Sequence, residues 1–166
     1  MKLSNAVKCI LLTAIVGFVA LGMTPTSAFA STATANVAVT ATVQADCTIT
    51  TGSMAFGTYT GAAASTTATL TVTCTNTTPY NVGLNAGATS GATVTTRQML
   101  NGTATLNYGL YTNSTWTTNW GNTAGSWVAG TGNGSAQTLT VYGQIPAAQF
   151  VTPGSYSDTV LATVNY

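Results

Sequence analysis

The chain has 166 residues, only three basic and two acidic side chains, and no histidine. That rules out Ser–His and Cys–His nucleophilic chemistry, leaves too few nitrogen and sulfur ligands for zinc, and provides no basic patch for nucleic acid or anionic lipid. Apolar residues still make up 45% of the chain, and their steady alternation argues for folded β-structure over a disordered linker.

The first thirty residues read as a secretory signal peptide. Lys2 and Lys8 form a positive n-region, residues 9–22 form an apolar stretch too short to span a bilayer, and Ala28-Phe29-Ala30 is a small-x-small cleavage site. No later run is long and apolar enough for a membrane span. The mature chain, 31–166, keeps Arg97, Asp46 and Asp158 as its only charges and suits one domain. Its solubility must come from threonine, serine and asparagine side chains.

Residues 31–50 open that chain with a long period-two pattern. Ala33, Ala35, Val37, Val39, Ala41, Val43, Ala45, Cys47 and Ile49 fall on one phase, with mostly Thr, Asn, Gln and Asp between them. The pattern predicts an unusually long first strand. "CTIT" then runs into "GSMAFGTYTG". Residues 66–75 place Ala68, Leu70, Val72 and Cys74 on one face, and "PYNVGLNAG" does the same for Tyr80, Val82 and Leu84. "ATVTTRQML" and "TATLNYGLYT" are joined through Asn101-Gly102, a strong hairpin signal. Residues 112–135 are polar, with a short strand predicted near 126–129 and a turn at Asn133-Gly134. A strand bearing Leu139, Val141 and Ile145 follows. The closing run, 155–166, sets Tyr156, Val160, Ala162, Val164 and Tyr166 on one face and is read with Asp158 on its polar phase.

Short alternating strands at this spacing predict an antiparallel Ig-like β-sandwich. Cys47 and Cys74 suit one disulfide in an exported protein, tying the first core strand to the second; two free buried thiols are the other reading. Asp46 and Asp158 are distant in sequence and do not suggest a catalytic dyad. "GTGNGS" lacks the lysine and the strand-to-helix context of a phosphate loop. The chain is therefore not read as an enzyme, and no cofactor or metal is expected. Trp116, Trp120 and Trp127, with Tyr108 and Tyr111, are expected to cover one end of the sandwich; a sugar-stacking surface is the alternative.

The pieces "DCTIT", "MAFGTY", "LTVTCTN", "YGLYTN", "TNWGN", "VYGQIP" and "GSYSDTVLATVNY" occur in this order over most of the mature chain. Together they resemble the spore coat protein U domain family, which includes the Csu-type subunits of archaic chaperone–usher pili. The resemblance implies an incomplete Ig-like sandwich that lacks its last strand and is completed by donor-strand exchange. It also implies export to the periplasm, a dedicated periplasmic chaperone, an outer-membrane usher, and assembly with identical or related pilin subunits into surface fibres for attachment and biofilm formation. On that basis 1–30 is the removed leader, 31–45 a donor-strand extension and 46–166 the Ig-like pilin domain. Residues 32–44 match the donor segment, with Ala35, Val37, Val39, Ala41 and Val43 as its inward row. Cys47 and Cys74 match the family disulfide, and 155–166 matches the last strand, where a chaperone docks. A secreted coat protein using the same fold is the second reading. A self-contained secreted carbohydrate-binding sandwich is the third.

Overall fold

The computed structural model describes residues 30–166, so the predicted leader lies outside the described residues except for Ala30. The chain divides into two units after Thr40. Residues 30–46 carry no strand pairing, and every side chain among them is exposed. Among the described residues, strand pairing thus begins at Cys47, and the long opening strand predicted from the alternation is not a paired strand.

Residues 47–166 form eight strands. They are β1 (Cys47–Thr51), β2 (Ala64–Cys74), β3 (Pro79–Leu84), β4 (Arg97–Asn101), β5 (Ala104–Tyr111), β6 (Val128–Thr131), β7 (Ala136–Ile145) and β8 (Ala162–Asn165). A five-stranded sheet has the order β1-β2-β7-β5-β4, and a three-stranded sheet the order β6-β3-β8. Every pairing is antiparallel. This is an incomplete Ig-like β-sandwich, with β1 and β8 each at an edge of its sheet and paired on one side only.

Alternation explains the layers. Leu70, Val72 and Cys74 of β2, Val141 and Ile145 of β7, and Leu106, Tyr108 and Leu110 of β5 point inward from the larger sheet. Tyr80, Val82 and Leu84 of β3 meet them from the smaller one. The opposite phase carries hydroxyls. Register places Thr50 beside Thr71, Thr71 beside Thr138, and Thr69 beside Thr140, so threonine rows cross the outer face. β-Branched residues suit such a pleated surface.

Turns lie where the sequence places them. Asn101 pairs with Ala104 around Gly102, whose φ is 60°; a positive φ at this position suits glycine. Gly134 has φ 74°, and the Asn133 side chain accepts the Ser135 N–H. The short strand expected near 126–129 is β6, centred about two residues later.

Cys47 and Cys74 are directly opposed in the β1–β2 register and form a disulfide across a sequence separation of 27. Closing that loop stabilises the fold by about 3.5 kcal/mol through the unfolded state.

The closing run departs from a single strand. Ser157 pairs with Leu100 of β4, in the larger sheet, whereas Ala162–Asn165 pair with β3 in the smaller one. The chain changes sheets between these points, which shortens the expected terminal strand to β8. Of its five inward residues, Ala162 and Val164 lie in β8. Tyr156 and Val160 precede it half-buried, and Tyr166 lies beyond it, 59% exposed.

Candidate functional site

The two half-paired edges bound one apolar opening. β1 and β8 approach each other, but the chain leaves β1 at Gly52, whose N–H still donates to Thr69. Residues 53–60 then run free of strand pairing, with Met54, Phe56 and Tyr59 half-buried. On the other side run residues 156–162. Between them lies a cavity of about 410 Å³ whose floor includes Leu70, Val141, Leu110, Tyr108, Leu84 and Met99. A second cavity, about 830 Å³, continues toward 145–156 and shares Met54, Phe56, Met99 and Tyr156 with the first. The first lies between the sheets, and the second extends the groove along the larger sheet between the 54–61 and 149–156 segments.

Local chemistry shapes the floor. Gly143 of β7 leaves space that Met54 and Phe56 fill; a Cβ there would strike both. The Phe56 ring meets Tyr108 edge to face, with centroids 6.2 Å apart, a favoured aromatic geometry. Tyr59 donates its hydroxyl to the Pro146 carbonyl at 2.7 Å and accepts the Gln149 N–H at 3.1 Å. These bonds tie the far end of the 53–60 segment to the 146–149 loop.

A polar cluster holds the other wall. Arg97, the sole cation of residues 31–166, is wholly buried. It donates to four backbone carbonyls: Asn85 at 2.8 Å, Val94 at 2.7 Å, Leu84 at 3.0 Å and Trp120 at 2.7 Å. Burial lowers its pKa from the ordinary 12.5, partly offset by Tyr108, Asp158 and Tyr111 nearby. Asn85 in turn grips the terminal segment: its backbone N–H donates to the Leu161 carbonyl at 3.0 Å, and its side-chain oxygen accepts the Leu161 N–H at 2.9 Å.

Asp158 is not on an outward polar phase, where the sequence pattern puts it. It shares the phase of Tyr156 and Val160 and lines the groove. The Tyr108 hydroxyl donates to its Oδ2 at 2.7 Å, and the N–H groups of Ala88 and Thr159 donate to its Oδ1 at 2.8 and 2.7 Å. Gly87, with φ 93°, makes room for the carboxylate; a Cβ there would collide with it.

Burial, then the hydrogen bond to Asp158 and its charge, hold the Tyr108 hydroxyl well above the ordinary tyrosine value of 10.0. The neutral phenol is therefore favoured by folding. Its contribution is complete below about pH 10, where the unfolded chain also keeps the proton, and is lost as pH rises through the higher folded value. Urea unfolding at successive alkaline pH values is expected to show stability falling from about pH 10 upward. Tyr108→Phe is expected to flatten that fall while lowering stability at pH 7, because Asp158 loses a donor. Equal alkaline slopes in both proteins would count against this assignment.

The tryptophans do not share one surface role. Trp120 is buried, with its indole N–H donating to the Val82 carbonyl at 2.8 Å. Trp116 is 37% exposed at the tip of a turn held by Asn113, and Trp127 is half-buried. Tyr108 lies in the core, and the Tyr111 ring lies over Gly109. Of these five aromatics, Trp120 and Tyr108 are core residues.

The predicted inward row at the start of the chain is fully displayed. Val37, Val39 and Val43 are 85%, 87% and 86% exposed, and Ala35 and Ala41 are exposed too. Among the described residues, no group of three or more His, Cys, Asp and Glu is placed to hold a metal, and no helix is long and apolar enough to cross a membrane. Sequence reasoning missed Arg97 and Asn85 as organisers of the groove wall. The one available signal for Arg97 was its isolation as the lone cation.

Three comparisons place the chain. The model of the Spore Coat Protein U domain matches residues 33–163. Protein U of Myxococcus xanthus is 34% identical over 155 residues, covering 82% of this chain and 87% of that protein. Among solved structures, the fold is similar to a chain of the CsuC–CsuE chaperone–tip adhesion subunit pre-assembly complex from archaic chaperone–usher Csu pili of Acinetobacter baumannii. That match has a TM-score of 0.57 and 24% identity, and covers 75% of this chain and 41% of the other. On the extent of the domain match and the identity to Protein U, the chain belongs to the Spore Coat Protein U domain family.

Proposed function

We propose that the protein is a structural subunit that polymerises by donating residues 31–45 to the groove of the next copy. The observation that carries this reading is a pairing of opposites in one chain. It has an apolar groove flanked by two half-paired edges, and an exposed alternating segment with no strand partner. An entering strand would satisfy free backbone groups on β1 and β8, which otherwise invite aggregation. It would place alternate side chains on the apolar floor, as in β-strand addition generally. Inward side chains recur about every 7 Å along such a strand, and each buried valine contributes at most about 1.5–3 kcal/mol.

Family membership and fold support a coat- or pilus-type structural role over catalysis. By this reading the first thirty residues direct export, a periplasmic chaperone shields the groove until assembly, an outer-membrane usher receives the subunit, and the product is a surface fibre for attachment and biofilm formation. The complex in which the similar fold was solved, a chaperone with a tip subunit, supports the chaperone as partner. Tyr156, Val160, Ala162 and Val164, on the groove wall or in β8, are the residues a chaperone strand would touch first, with Tyr166 at the end of that edge.

Deleting residues 31–45 tests the reading. The full chain, refolded at high concentration, is expected to form a ladder of polymers. The deletion variant is expected to stay single and to bind a synthetic peptide of residues 31–45. A full chain that remains a stable monomer, with a deletion variant that does not fold, would instead support a self-contained sandwich.

A further inference from the structure

Among the described residues, Asp158 is the single charged residue lining either cavity of the groove. It stands on the inward phase between Tyr156 and Val160, where alternation calls for an apolar side chain. Its carboxylate offers about four lone-pair sites, and three protein donors occupy three of them: the Tyr108 hydroxyl and the N–H groups of Ala88 and Thr159. One site is left for water. A large apolar side chain seated opposite would expel that water and supply no donor, leaving an ionised group partly unsatisfied. An alanine leaves room for the water to stay. Inward-pointing charges on edge strands are a known device against promiscuous pairing.

The segment read as the incoming strand is graded in size. Its inward row is Ala35, Val37, Val39, Ala41 and Val43, so alanines bracket a pair of valines. We propose that Asp158 fixes the register of the strand that fills the groove by accepting only a small side chain opposite it, a position taken by Ala35 or Ala41. The inference rests on the groove being the acceptor for residues 31–45. It makes Asp158 the residue that discriminates among registers and among foreign strands with larger side chains.

The test is a coupling experiment in the full chain, with polymers sized by sedimentation after refolding. Asp158→Asn is the informative partner change, because the tyrosine hydroxyl can donate or accept and the three hydrogen bonds can be kept. One of Ala35→Leu and Ala41→Leu is expected to lower polymer yield about tenfold, and Asp158→Asn is expected to restore most of it. Val39→Leu is expected to be insensitive to Asp158→Asn. Asp158→Asn alone is the reference against which the double variants are read, with thermal melting confirming that the domain is folded. The inference fails if neither leucine variant loses polymer, or if Asp158→Asn restores neither. A parent chain that never polymerises overturns the donor-strand reading itself, and this inference with it.

Discussion

Arg97→Leu is expected to leave little folded protein, with a loss of about 4 kcal/mol or more. A buried ion paired with another side chain can often be replaced, together with its partner, by apolar groups at no cost. Arg97 has no such exchangeable partner. Its hydrogen-bond acceptors are four backbone carbonyls, at Leu84, Asn85, Val94 and Trp120, and no substitution removes a carbonyl. Leucine would deprive all four of this donor, those of Leu84 and Trp120 in the buried interior. Arg97→Lys keeps the charge but replaces a planar fork by one compact ammonium, so it should recover only part of the stability. The urea midpoint and the yield of disulfide-intact protein measure both. Near-parental stability of Arg97→Leu would mean that the carbonyls find other donors.

The second large effect lies at the other end of the chain. The double variant Val37→Asp with Val39→Asp is expected to lower polymer yield by more than about a hundredfold, because each carboxylate would enter an apolar groove without a partner. The domain itself should melt unchanged, since residues 30–46 carry no strand pairing in the single chain. The double variant Thr40→Asp with Thr42→Asp, on the opposite phase of the same segment, is the control and should polymerise nearly normally. Equal loss in the two double variants would point to charge in general and not to an inward row.

The strands and their faces were readable because alternation is strict in this sequence. Leu70, Val72 and Cys74, or Tyr80, Val82 and Leu84, can face only one way once pairing is set. The disulfide and the Asn101-Gly102 hairpin were readable from cysteine count and turn chemistry. The groove wall was not. Arg97 follows two threonines and precedes a glutamine, a setting that looks like solvent; what buries it is carbonyls from segments 12 to 23 residues away, which no local pattern records. The closing run was legible as alternating but not as a strand that changes sheets, because the change is imposed by bonds from Leu100 and Asn85. Asp158 was misplaced for a related reason. A carboxylate among apolar residues looks like an outward position until Tyr108 and Gly87 are seen to make a place for it.

The position of the disulfide has a mechanical consequence. Cys47 is the first residue of β1, directly after the exposed extension, and its sulfur bond leads straight to Cys74 at the end of β2, a strand paired on both sides. Tension arriving along residues 31–46 therefore passes covalently into an interior strand before it can peel β1 from the sheet residue by residue. Rupture must then shear the ten register pairs of β2 against β7 together, instead of unzipping five pairs at an edge one after another. A reducing agent would change how the molecule yields under load, from shearing to peeling, even where the resting fold survives.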